Sequence, residues 1–96
     1  MSVPVLWQDD ADADLDIILD HIETESPRGA LTMALAIRQG ADVLLSEYPK
    51  IGRRGRAAGT RELVIARTPF VVVYRVRQKP ERVEIIRVLH GAQKWP

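Results

Sequence analysis

The chain opens on a short apolar run, Val3 to Trp7, interrupted by Pro4. This predicts a first strand at a sheet edge, where a missing N–H costs little. Gln8-Asp9-Asp10 supplies capping residues for a helix. Leu15, Ile18, Leu19 and Ile22 then recur at spacings of three and four, one apolar stripe on an amphipathic helix. Asp10, Asp12, Asp14 and Asp16 crowd its first turns, where carboxylates favour the positive end of the helix dipole. They do not form a calcium loop. Counted from Asp10, the sixth position is Leu15 rather than glycine and the twelfth is His21 rather than a carboxylate.

Ser26-Pro27 starts a second helix, with Ser26 as N-cap and Pro27 at the first helical position. Ala30, Ala34, Ile37, Ala41 and Leu44 form its stripe, widened by Leu31, Leu35 and Leu45. The small alanines let a neighbouring helix come close, and Pro49 ends the element. Two such helices with a short connection make an αα-hairpin. Residues 49–60 read as a basic loop turned by Gly52, Gly55 and Gly59, without the spacing of a phosphate-binding P-loop. Three strands follow: Arg61 to Ala66, Phe70 to Val76 and Arg82 to His90. The middle one is β-branched and aromatic throughout, as expected of a central strand. Gln78 to Glu81 forms the hairpin turn. The expected fold is α+β in the order β-α-α-β-β-β. A helical hairpin packs on one face of a small, mainly antiparallel sheet, as a single domain over residues 1–96. The opposite face, carrying arginines, is expected to stay open.

Charge changes this picture. Residues 1–48 carry two basic side chains against ten acidic ones, and residues 49–96 carry twelve against three. The net charge of +1 thus hides halves of −8 and +9, and eleven of the fourteen basic residues are arginine. Arginine suits bidentate contact with phosphate or carboxylate, so the second half is the expected working half. The chain has no cysteine and two histidines, which excludes a thiol nucleophile and the usual zinc modules. No metal or other cofactor is expected. No apolar run suits a membrane helix and the start lacks a signal peptide's features, so the expected compartment is the cytoplasm, without a membrane partner.

Ser2, Ser26 and Ser46 lie in no nucleophile elbow. The set with chemical potential is Arg61, Arg75, Arg87 and His90, with Tyr74 nearby. Arginines on adjacent strands can hold a phosphodiester, and a histidine or tyrosine can move protons. Such a set could cut RNA without a metal. The plainer reading is ordinary sheet-surface arginines paired with Glu62 or Glu84; between the two stands the binding of an acidic partner.

Three blocks carry a resemblance: Gly59-Thr60-Arg61-Glu62-Leu63-Val64, Pro69-Phe70-Val71-Val72-Val73-Tyr74-Arg75-Val76, and Ile86-Arg87-Val88-Leu89-His90-Gly91-Ala92-Gln93-Lys94-Trp95-Pro96. With Pro49-x-x-Gly52-Arg53 upstream, they resemble the RelE/ParE toxin superfamily, more closely its ParE branch, the plasmid stabilisation toxins. The resemblance covers essentially the whole chain. It implies the toxin of a type II toxin–antitoxin module that inhibits DNA gyrase. It also implies neutralisation by a ParD-like antitoxin of ribbon-helix-helix type, through which alone operator DNA is contacted. RelE relatives instead cut messenger RNA on the ribosome. Arg61 and Arg87 fall on strands where those nucleases place phosphate-binding arginines, and His90 falls near their catalytic histidine or tyrosine. The tail Gln93-Lys94-Trp95-Pro96 lacks a tyrosine, a departure that favours the gyrase branch. The implied target surface is Arg61, Arg75, Arg87, His90 and Trp95; in the alternative, a ribonuclease, the first four become catalytic candidates. The implied antitoxin contacts are Arg53, Arg54, Arg56, Leu15 and Leu19. A nucleic-acid-binding domain without toxic action is the third reading.

Overall fold

A strand apolar on both faces has to be covered twice, and Phe70 to Tyr74 are all buried. They begin the middle strand of the sheet. The computed structural model describes residues 2–23 and 25–95. Its elements run β1 (Val5–Trp7), α1 (Asp9–Glu23), α2 (Pro27–Glu47), β2 (Arg53–Arg54), β3 (Arg61–Val64), β4 (Phe70–Arg77) and β5 (Arg82–His90). The strand order is β1-β5-β4-β3-β2. β1 runs parallel to β5, and the other pairs are antiparallel. The α+β architecture is the expected one with an added strand. The basic loop contains β2, whose Arg53 and Arg54 pair with Glu62 and Arg61. Pro4 sits just before edge strand β1, and its carbonyl accepts the Val83 N–H at 2.8 Å.

The helices cover one face. Phe70, Val72 and Tyr74 join Leu63, Val83, Ile85 and Val88 against Ala11 and Leu15 of α1 and Ile37, Ala41 and Leu45 of α2. Ser26 caps α2 in an extended conformation, its side chain accepting the Gly29 N–H, with Pro27 directly after it. The α2 stripe differs from expectation in its rim. Leu45 is fully buried while Leu44 is 37% exposed, and Leu31 and Leu35 are exposed. A straight helix has room for one sheet-facing row, and Ala30, Ile37, Ala41 and Leu45 fill it.

The second face is not open, contrary to expectation. Val71, Val73 and Leu89 point away from the helices, yet they are buried. Beside them Glu62, paired with Val73, is 2% exposed. Its carboxylate accepts from the Arg53 guanidinium at 3.1 Å, the Arg56 guanidinium at 3.1 Å and the Arg56 backbone N–H at 2.8 Å. Arg56 also donates to the Gln93 carbonyl at 2.9 Å, tying the basic loop to the C-terminal tail. Arg53 and Arg56, expected to contact an antitoxin, are thus taken up beside this face instead.

Burial pushes the Glu62 carboxyl up, but the hydrogen bonds from Arg56 and Arg53 outweigh it and leave the group below its ordinary value of 4.5. At the sheet's other side the loop is fitted to Tyr74, whose hydroxyl accepts the Gly52 N–H at 2.8 Å. A Cβ at Gly52 would lie 2.6 Å from that hydroxyl and 2.9 Å from the Glu62 carbonyl oxygen, so no larger residue fits without moving backbone. None of the described helices is long and apolar enough to cross a membrane.

Two outcomes are expected. Gly52→Ala destabilises the fold by about 2 kcal/mol in urea unfolding, through overpacking against Tyr74 and the β3 backbone. Glu62 contributes stability above its unfolded value that is lost as pH falls through the lower folded one. Acid titration of the melting temperature should therefore show a fall beginning near pH 4.5. Glu62→Gln should weaken that acid-dependent component and lower stability at neutral pH.

Candidate functional site

β1 ends at Trp7, opposite Ile85, so the rest of β5 has no strand on its outer edge. A bare edge exposes backbone donors. Here α1 supplies the partner. Asp14 Oδ2 accepts the Val88 N–H at 2.9 Å and Arg87 Nε at 2.7 Å, while Oδ1 accepts Arg87 Nη2 at 3.0 Å. This is a bidentate pair, with side chains 31% and 14% exposed, and the hydrogen bonds that Arg87 donates to Asp14 raise its already high pKa. Arg87 is a permanent cation whose charge is already answered.

Further along the same edge, the His90 N–H donates to Gln93 Oε1 at 3.3 Å, and His90 Nδ1 accepts the Ala92 N–H at 3.2 Å. The His90 ring stands edge-on to Phe70, with centroids 5.9 Å apart. Arg87 and His90 share a cavity of about 400 Å³ with Asp14, His21 and the apolar flank Ile17, Ile18 and Ile22.

Arg61 lies elsewhere. Its Nη1 donates to the Gly52 carbonyl at 2.8 Å and to the Lys50 carbonyl at 3.2 Å, which pins the start of the basic loop. It lines a second cavity, about 680 Å³, together with Lys50, Arg54 and Arg56. Cross-strand partners share a face, so Arg61 opposite Tyr74 and Arg87 opposite Val73 stand on opposite faces of the sheet. They are also two strands apart, about 10 Å.

Arg75 joins neither cavity. It is half-buried and faces Glu84, but that carboxylate is taken by Arg77 at 3.1 Å and Arg82 at 3.5 Å. Trp95 is half-buried in the tail. Tyr74 is fully buried, and burial raises its pKa, although the Gly52 N–H and the nearby Arg61 work the other way. It is out of reach of any substrate.

The expected constellation of Arg61, Arg75, Arg87 and His90 is therefore not assembled; only Arg87 and His90 meet. Among the residues expected to touch an antitoxin, Leu15 belongs to the core and Leu19 is half-buried. Arg53 and Arg56 are engaged by Glu62, while Arg54 is exposed. Sequence reasoning missed Asp14, one of several aspartates on α1 and distinguished only by its turn toward β5. It also missed Lys50. No group of three or more His, Asp or Glu among the described residues is placed to hold a metal ion.

Comparison with known proteins agrees with this architecture. The chain is 42% identical over 89 residues to toxin RelE2 of Caulobacter vibrioides, covering 93% of this chain and 96% of that protein. Its fold matches a chain of the chromosomal ParDE toxin–antitoxin system from P. aeruginosa with a TM-score of 0.83 and 28% identity, over 93% and 96% of the two chains. It matches a chain of the RelBE2 toxin–antitoxin complex from Mycobacterium tuberculosis with a TM-score of 0.71 and 25% identity, over 97% and 95%. Residues 5–95 match the family model of the ParE toxin of the type II toxin–antitoxin system parDE. With the two-helix, five-strand fold described above, this match makes the chain a member of the ParE toxin family of type II toxin–antitoxin systems.

Proposed function

We propose that this chain inhibits DNA gyrase by binding it, stalling replication, and is held inactive by a ParD-like antitoxin. The carrying observation is the dispersal of the groups that metal-free RNA cleavage needs. Such cleavage wants a proton-transfer residue and phosphate-holding cations converging on one reacting centre. Here Arg61 holds two backbone carbonyls, Arg87 is neutralised by Asp14, Tyr74 is buried, and His90 stands with Arg87 away from Arg61. A toxin that works by occupying a surface needs no such convergence. The membership in the ParE family supports the same reading.

The antitoxin has a ready place. Leu31 and Leu35 stand exposed on consecutive turns of α2 at 60% and 45%, and Ile17 of α1 is 66% exposed. An amphipathic segment laid over this hairpin would bury them. The matching structures include a toxin–antitoxin complex, which supports such a partner.

The test mixes the purified chain, free of antitoxin, with gyrase, ATP and relaxed plasmid. Supercoiling should stop and linear DNA accumulate. If gyrase is unaffected while messenger RNA is cleaved in a translating extract, and His90→Ala abolishes that cleavage, the ribonuclease reading replaces this one.

A further inference from the structure

We infer that the concavity at the foot of α2, lined by Tyr48, Pro49, Lys50, Ile51 and Glu81, is the surface by which this chain docks on gyrase, seating an apolar side chain of that enzyme flanked by its carboxylates. The inference rests on the gyrase reading above and names the contact that reading needs, since the surface expected from the sequence is dispersed.

Two large apolar side chains stand in water here. Tyr48 and Ile51 are each at least half exposed, and with Pro49 they line one cavity of about 520 Å³. Single apolar residues scattered over a surface are ordinary, whereas several around one concavity mark a contact site. Their exposure is not the looseness of a free loop. The Tyr48 N–H donates to the Leu44 carbonyl at 2.8 Å, the Ile51 N–H to the Tyr48 carbonyl at 3.0 Å and the Gly52 N–H to the Tyr74 hydroxyl at 2.8 Å. Arg61 holds the Lys50 and Gly52 carbonyls. The backbone is fixed before any partner arrives, so little ordering entropy opposes binding. Tyrosine is among the side chains that carry most binding energy at protein interfaces.

Charge narrows the partner. Among the described residues the Lys50 ammonium has neither an ion pair nor a hydrogen bond. Lys50 also lines the neighbouring cavity, where Arg54 and Arg61 join it and no carboxylate does. Glu81 is the one carboxylate on the lip, and these three cations outweigh it. A second copy of the chain would set the same excess of positive charge against this surface, which costs affinity. An apolar knob ringed by acidic side chains answers both features. The antitoxin has its apolar seat elsewhere, on the hairpin, with Tyr48 roughly 20 Å along α2 from Leu35. A fixed concavity suits the preformed surface of a folded enzyme, which changes little on docking.

The test measures binding to immobilised gyrase by biolayer interferometry, with no DNA present. The intact chain should bind. Tyr48→Ser and Ile51→Ser should each weaken binding about tenfold or more. Lys50→Glu should do the same and flatten the dependence on salt. Leu6→Ser, the same kind of loss at an exposed residue of β1 on the opposite edge of the sheet, should bind as the intact chain does. Matching melting temperatures show that folding is not the cause. Lys50→Glu, which removes no polar contact of its side chain, decides the matter should either apolar variant unfold. An intact chain that stops supercoiling, with Tyr48, Ile51 and Lys50 variants that bind as tightly as it does, overturns this inference and leaves the gyrase reading standing. An intact chain that neither binds nor inhibits gyrase overturns both. Binding that appears only once DNA is added overturns the inference, since the contact is then not with the enzyme alone. A dimer of the free chain in analytical ultracentrifugation, split by Tyr48→Ser, overturns it and assigns the surface to a second copy.

Discussion

β4 is apolar on both faces, and water must be kept from both. One face is answered by the helical hairpin, as any small α+β domain would do. The other has no second layer of helix available in a chain this short. Beside it the basic loop is drawn in by Glu62 and tied to the tail through Arg56 and Gln93. This explains the depth of the Glu62 carboxylate. A loop that carries guanidinium groups onto an apolar face needs a fixed acceptor there, and Glu62 holds Arg53 and Arg56. The cost of burying one charge is offset by several donors at once, an arrangement that tolerates no missing member.

The split of charge along the sequence acquires a structural meaning in the same way. Part of it is spent inside the molecule. Asp14 of the acidic half and Arg87 of the basic half lie 73 residues apart and form one bidentate pair that also caps a backbone donor. Asp12 and Arg38 form a looser pair between the two helices, both side chains nearly half exposed. What is left over on the surface is not spread evenly. Lys50, Arg54 and Arg61 line one cavity at the β2–β3 end of the sheet, and exposed apolar residues stand both on the hairpin, as Leu31 and Leu35, and beside that end, as Tyr48, Ile51 and Val64.

Much of the fold was legible in the residues. The period of three and four along α1 and α2, Ser26-Pro27 as a start signal and the β-branched run of β4 each report local chemistry. The edge position of β1 was legible from Pro4 for the same reason. The site was much less so. Arg61, Arg75 and Arg87 look alike in sequence, and their differences lie in which acceptor each meets. Those acceptors are the carbonyls of Lys50 and Gly52 for Arg61 and a carboxylate on α1 for Arg87. For Arg75, Glu84 is already occupied by Arg77 and Arg82. Pairing across the sheet, and the shift in register between Val73 and Tyr74 that changes which residues face the core, are tertiary facts with no local signature.

The parallel pairing of β1 with β5 has a consequence for how the molecule comes into being. β1 must wait for β5, made some 75 residues later, since β5 sits between β1 and β4. Asp14, too, has nothing to clasp until Arg87 and Val88 have been added. A growing polypeptide can coil its helical hairpin early but cannot close its sheet. Both cavities, one beside β5 and one under the loop that Gln93 helps to tie down, are completed only once residues 82–93 have been added. The fold thus orders its own assembly: the sheet edge that β1 forms cannot be laid down before β5 is available to pair with it.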